Sequence, residues 1–241
     1  MENETITPVF TKEKGVDNKD KMPNSNIDFY YFLPSPPCRS VMLLAKALGV
    51  QMNQKITSIL AGDNMTPEYL RLNPQHTIPT LNDNGFILFE SRAILQYLVD
   101  QYAKDDSLSP KEAKKAAIVN QRLYFDACTL MPRLVQYMGP VLRHAQTPDK
   151  EKLGNFEEAL GYLDEFLENQ TWAAGSQLTI ADFALISTVS TAEAIGVDIS
   201  KFPNVNAWFQ RTKNAMTGFG YEEINQAGCA IIGGMFKNKA K

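Results

Sequence analysis

The chain has 241 residues, 44% of them hydrophobic and 21% charged, with a formal net charge of −3. That length buries a sizeable core unaided and holds one large domain or two modest ones, and the weak acidity speaks against a nucleic-acid binder. No apolar run approaches the roughly 18 residues of a membrane span, the polar start Met1-Glu2-Asn3-Glu4 is no secretory leader, and three cysteines (Cys38, Cys128, Cys229) predict reduced thiols in a cytoplasmic setting rather than a disulfide framework.

Residues 1–26 are polar, mixed in charge and without period, which predicts a disordered N-terminal extension. From Ile27 the texture changes. Ile27 to Leu33 is rich in β-formers and reads as a buried strand. Pro34-Ser35-Pro36-Pro37 stops it, and Pro37 is tolerated in the first turn of a helix that continues from Arg39 to Leu48 and closes at Gly49. Gln51 to Ile59 reads as a second strand, and Thr66-Pro67-Glu68 as the capped start of a short helix. Thr80-Leu81 and Phe86 to Phe89, joined by Asp83-Asn84-Gly85, form a predicted hairpin. Glu90-Ser91-Arg92 opens a helix with Ile94, Leu95, Leu98 and Val99 on one side. The order β-α-β-α-β-β-α over residues 27–105 matches a thioredoxin-like α/β domain.

After the linker around Lys104 to Pro110, strand signals fade. Helical patterns run from Lys111 to Met138, Glu151 to Glu168 and Leu178 to Ile195, and a fourth is introduced by Phe202-Pro203-Asn204 and runs through Trp208 to Met216, with a short last helix over Glu222 to Cys229 and a frayed tail from Lys237 to Lys241. Residues 111–241 therefore read as an all-α C-terminal domain. Thr179-Ile180-Ala181-Asp182 is a capping box, and capping explains Asp182 without a catalytic role.

Six strings, in order from residue 28 to residue 182, carry a resemblance: Asp28-Phe29-Tyr30-Tyr31, Ser35-x-Pro37-Cys38-Arg39-Ser40, Asn73-Pro74-Gln75-His76-Thr77-Ile78-Pro79-Thr80-Leu81, Glu90-Ser91-Arg92-Ala93-Ile94, Asn120 to Asp126, and Leu178 to Asp182. Together they resemble the glutathione S-transferases, and within them the insect delta class. The resemblance implies the cytosolic glutathione transferase fold, glutathione as co-substrate, no metal, apolar electrophiles conjugated in detoxification of xenobiotics, and a cytoplasmic homodimer that binds neither nucleic acid nor membrane.

Glutathione is a thiol whose thiolate is the nucleophile, and an unperturbed cysteine thiol is mostly protonated at neutral pH. A hydroxyl bonded to the thiolate favours the charged form, as do the amides and dipole of a helix start. The resemblance places Ser35 in that catalytic role; by itself the residue also suits a plain turn. It implies further that Pro37, His76, Thr77, Ile78, Pro79, Glu90, Ser91, Arg92 and Asp126 bind glutathione. Ile78-Pro79 is the family's cis step, which turns the Ile78 main chain outward to pair with the cysteinyl part of glutathione. His76 serves the glycine end. The Ser91 hydroxyl and helix amides suit the γ-glutamyl carboxylate, Glu90 its ammonium group, and Arg92 faces the ligand, with Asp126 joining from the helical domain.

Met131, Leu134, Val135, Met138 and Phe219 are the residues expected around the electrophile, although such a stripe equally describes core. Tyr124 and Phe125 are expected at a two-fold dimer contact, with a core role open to either. Three departures stand out. Pro34 replaces the small residue usual before the serine, Asn64 stands where a histidine often helps bind glutathione, which predicts weaker glutathione binding, and Met131 and Gly139 replace aromatic residues. Two rival readings follow from the same residues: a non-catalytic ligand carrier of this fold, and a thiol transferase using Cys38, which sits at a helix start where a thiol's pKa can fall.

Overall fold

The computed structural model describes residues 26–240, so the expected disorder of the N-terminal extension falls on residues outside those described, apart from Asn26. Strand β1 (Ile27–Tyr31) lies parallel to β2 (Asn53–Ile56) and antiparallel to β3 (Thr80–Asp83), and β4 (Phe86–Phe89) completes the order β2-β1-β3-β4. Ile27, Phe29 and Tyr31 point into the core, in the alternation that a half-buried strand requires. β2 is shorter than the strand expected over Gln51 to Ile59. Asn53, Gln54 and Lys55 are polar, and the strand is exposed along its length as a sheet edge.

Helix α1 (Pro36–Leu48) ends at Gly49, whose φ of 72° lets its N–H turn back to the carbonyls of Ala45 and Lys46. Helix α2 (Pro67–Leu72) is capped by the Thr66 hydroxyl, which accepts the Tyr69 N–H at 3.3 Å. After the Asn84-Gly85 hairpin turn, α3 (Ser91–Tyr102) packs beside α1.

The long helix expected over 111–138 is broken and displaced. It comprises α4 (Ala113–Phe125), a wide π-helical turn over Asp126–Leu130, and α5 (Met131–His144). Pro132 lies in the first turn of α5 and offers no N–H, so the chain widens just ahead of it instead of continuing the α-helical ladder. Helix α6 (Lys150–Phe166) is capped by the Asp149 carboxylate. Helix α7 (Ile180–Ala194) is buried on every side from Ile180 to Ala192, in keeping with its unbroken apolar character. Helix α8 (Pro203–Ala215) follows.

The last helix is longer than expected. A π-helical stretch, Tyr221–Gln226, runs into α9 (Ala227–Lys239). The tail expected to fray is helical to Lys239, whose ammonium donates to the Leu142 carbonyl at 2.5 Å. Gly228 and Gly233 permit this packing. A Cβ on Gly228 would lie 2.5 Å from both the Arg39 Cδ and the Leu33 carbonyl oxygen, and one on Gly233 would lie 2.5 Å from the Ala194 carbonyl oxygen.

Helix α1 joins the two halves of the molecule by packing on α7. Its Arg39 is fully buried and, among the described residues, has no carboxylate partner. The guanidinium donates to the carbonyls of Asn225 (2.9 Å) and Ser187 (3.3 Å), to the Cys229 sulfur (2.7 Å) and to the Thr191 hydroxyl.

Candidate active site

Three predicted segments leave the same end of the sheet. Tyr30 pairs with Thr80, and Thr80 with Phe89. The chain beyond that row is the loop carrying Ser35, the His76–Pro79 loop, and the Glu90-Ser91 entry to α3. The antiparallel register thus gathers residues 35, 76–79 and 90–92 at one sheet end, although they are distant in sequence.

Ser35 is the residue before α1, in extended conformation. Its N–H closes a tight turn onto the Phe32 carbonyl at 2.9 Å, and its own carbonyl accepts from Cys38 (3.1 Å) and Arg39 (3.2 Å). Pro36 and Pro37 carry no N–H. The expected contribution of free amides at this helix start is therefore corrected: the first two positions lack a donor and the next two are spent on Ser35. The Ser35 hydroxyl caps nothing in the helix. It bonds the Cys38 thiol, and within that contact it lowers the thiol's pKa, as a donor to a developing thiolate should.

Cys38 itself does not suit the rival reading. It is fully buried, and burial, outweighing the hydrogen bonds from Ser35 and from the Phe32 backbone, pushes its thiol up to about 11. A thiol so rarely ionised is a poor nucleophile. Cys38→Ala is expected to retain conjugating activity while losing about 1 kcal/mol of stability through the vacated volume. Steady-state rates beside a melting curve check this, and lost activity at unchanged stability would restore Cys38 as nucleophile.

The His76–Pro79 loop is braced from below. The Asn73 side-chain amide donates to the Thr77 carbonyl (3.0 Å) and hydroxyl (3.1 Å), and the Tyr69 hydroxyl to the Thr77 carbonyl (2.5 Å). Asn64 donates to the His76 carbonyl at 2.7 Å, holding His76 at its positive φ of 47°. Ile78-Pro79 is cis, and among the described residues no hydrogen bond engages the Ile78 main chain. Glu90 is exposed at φ 72°. A non-glycine residue held there costs roughly 1–3 kcal/mol, and such strain clusters at functional sites.

Ser91 is buried at the first turn of α3, and Arg92 is turned away from open solvent. The Arg92 guanidinium donates to the Ser91 hydroxyl at 3.0 Å and clasps the Asp126 carboxylate with two nitrogens. Asp126, wholly buried, also accepts the Thr188 hydroxyl at 2.8 Å. Arg92 thus meets the Ser91 hydroxyl, and Asp126 joins the pair from the helical half.

Beside Ser35 opens a cavity of about 190 Å³. Met131, Val135 and Met138 line it together with Phe32, Pro37, Gly139 and Ser35. Two expected members do not. Leu134 is fully buried on the core side of α5, and Phe219 stacks on Phe183 with centroids 6.2 Å apart. Residues missed from the sequence are Ile59 and Leu60 after β2, Leu142 and Arg143 on α5, and Ile232 and Met235 on α9. The uncharged run Ala227 to Phe236 was the available signal for α9. Among the described residues Phe32 is the sole aromatic ring in the lining, and the Met131, Met138 and Met235 thioethers share it. Of the two expected dimer residues, Tyr124 is 68% exposed, whereas Phe125 packs edge-on against Phe166 at 5.1 Å within the chain.

Comparison with known proteins bears on the whole arrangement. The family model described as glutathione S-transferase, N-terminal domain, matches residues 29–107, and that described as glutathione S-transferase, C-terminal domain, matches residues 127–214. The chain is 46% identical to glutathione S-transferase D7 of Anopheles gambiae over 212 residues, 88% of this chain and 97% of that protein. Among solved structures, the Bombyx mori glutathione transferase BmGSTD1 superposes with a TM-score of 0.87 at 46% identity, over 89% of this chain and 100% of that one. A Nilaparvata lugens delta-class glutathione transferase does so with a TM-score of 0.85 at 48% identity, over the same shares. With both domains matched and delta-class insect enzymes of nearly half-identical sequence sharing its fold, this chain belongs to the glutathione S-transferase family.

Proposed function

We propose that Ser35 activates the thiol of glutathione for attack on apolar electrophiles held in the neighbouring cavity. The observation that carries this reading is the Ser35 hydroxyl itself: it caps no amide of the helix it precedes, meets only the Cys38 thiol there, and lines the cavity at the sheet end where the Ile78 main chain and the start of α3 converge. The thiol loses its proton to water, and the hydroxyl donates to the thiolate left behind, holding its pKa down. The Ile78 N–H and carbonyl pair with the cysteinyl segment in the manner of an added strand. His76 and Thr77 receive the glycine end, with Asn64 supporting the loop from beneath. Ser91 and the first amides of α3 receive the γ-glutamyl carboxylate and Glu90 its ammonium group. Arg92 and Asp126 are positioning residues that fix the Ser91 hydroxyl.

Met131, Val135 and Met138 give the electrophile a deformable apolar wall, suited to varied substrates such as xenobiotics. Exposed Tyr124 supports a two-fold dimer contact. No helix of the described residues is long and apolar enough to cross a membrane, which agrees with action in the cytoplasm. The test is conjugation of glutathione to 1-chloro-2,4-dinitrobenzene by the full chain, with sedimentation to establish the dimer. Glutathione binding without turnover would overturn the catalytic assignment in favour of a carrier.

A further inference from the structure

The cavity beside Ser35 has a second compartment. Across Val135, Gly139 and Arg143 it continues into a groove of about 340 Å³, completed by Gln136, Pro140, His144 and Lys152. The inner chamber is apolar, whereas the outer groove carries two cationic side chains and an imidazole. In a chain of net charge −3 this is not the run of the composition.

Arg143 occupies the last turn of α5, where a cation ordinarily serves the helix carbonyls. Here three of the carbonyls near that end are already engaged. Gln146 N–H bonds the Pro140 carbonyl (3.3 Å), Ala145 N–H the Val141 carbonyl (2.9 Å) and the Lys239 ammonium the Leu142 carbonyl (2.5 Å). Among the described residues, no carboxylate lies within ion-pair distance of Arg143 and no acceptor takes its guanidinium hydrogens. Lys152 is only loosely matched, 3.9 Å from the Asp149 carboxylate that caps α6. The guanidinium that lines both compartments thus has no hydrogen-bond or ion-pair partner among the described residues, and Gln136 and His144 beside it are likewise unpaired there.

We propose that this site prefers electrophiles bearing a carboxylate, with the reactive carbon beside Ser35, the apolar body against Met131, Val135 and Met138, and the anion on Arg143 with Lys152 and His144 around it. The proposal rests on the assignment of the cavity as the electrophile site. A planar guanidinium accepts a carboxylate through two parallel N–H bonds, so it fixes orientation as well as charge. For an aryloxyacetic acid carrying an α,β-unsaturated ketone, the thiolate sulfur bonds to the β-carbon. The alkene pair moves to the enolate oxygen, and water supplies the proton that restores the ketone. Nothing leaves.

The experiment compares that acid with its methyl ester. With glutathione fixed, the acid is expected to have a KM about threefold to fivefold below the ester's, the range of one solvent-exposed ion pair, and the preference should shrink as salt is raised. In Arg143→Gln the acid-to-ester ratio moves to near one, and in Arg143→Glu it inverts. Calorimetry with the saturated, unreactive ketone and its ester reads the same ratio without chemistry. An unchanged ratio in folded Arg143→Gln overturns the proposal whether or not turnover occurs. Absent turnover of both compounds, with the calorimetric preference intact, would instead overturn the Ser35 assignment and leave the anionic preference standing.

Discussion

Replacing Ser35 by alanine is expected to lower kcat/KM for conjugation by about tenfold to a hundredfold at neutral pH, the scale of one hydrogen bond to a charged group. The loss falls at the upper end of what a single hydroxyl can cause because little else is available to replace it. Pro36 and Pro37 have no N–H, the Cys38 and Arg39 amides are held by the Ser35 carbonyl, and the Ser35 N–H is held by Phe32. The pH dependence separates this from misfolding. A donor to the thiolate depresses its pKa, so removing the donor raises that pKa towards the ordinary thiol value of about 8.5. The rising limb of the rate profile should move to higher pH, and the variant should regain much of its deficit in alkali. A profile that keeps its midpoint, at whatever rate, would remove Ser35 from thiol activation.

Asp182→Ala carries the largest expected effect on stability, about 3–5 kcal/mol in the denaturant midpoint, from several buried donors left unpaired at once. The carboxylate is wholly buried and accepts four hydrogen bonds: from the N–H of Ala173 (2.8 Å) and Thr179 (2.9 Å), the Thr179 hydroxyl (3.3 Å) and the Trp208 indole (2.8 Å). It therefore ties the start of α7 to the segment before it and to α8. Asp182→Asn should fall between, since its amide nitrogen faces donors where an oxygen had accepted. A loss below 1 kcal/mol, the scale of an isolated cap, would mean that the Trp208 and Ala173 bonds contribute little.

Asp182 also illustrates what a sequence discloses. The Thr179–Asp182 spacing is local and identifies the cap. Trp208 lies 26 residues away, and only the fold brings its indole to the carboxylate. The same division runs through the molecule. Pro67, Gly49 and Asn84-Gly85 punctuate the chain with chemistry that acts over four residues, so the helices and hairpin they bound are readable. Helix α9 was under-read because its glycines weaken helix propensity. Tertiary packing overrides that, with Gly228 and Gly233 admitting Arg39, Leu33 and Ala194 at distances a side chain would forbid. At the site, the serine and the 73–81 motif were legible as strings, whereas the cavity wall was not. Leu134 and Val135 are adjacent apolar residues about 100° apart around α5; one faces core and the other cavity, and hydrophobicity alone does not distinguish them.

Arg39 has a consequence for how the chain is made. Its acceptors lie 148 to 190 residues further along the chain, the most distant in the final helix. Synthesis runs from the N-terminus at roughly 5–20 residues per second. The thioredoxin-like half is thus complete in sequence many seconds before its first helix has anywhere to place a buried cation. Until α7 leaves the ribosome, the face of α1 that will meet it has no partner, and the Asn225 and Cys229 acceptors come later still. The hydrogen-bond set around this buried cation is therefore complete only when the last helix arrives.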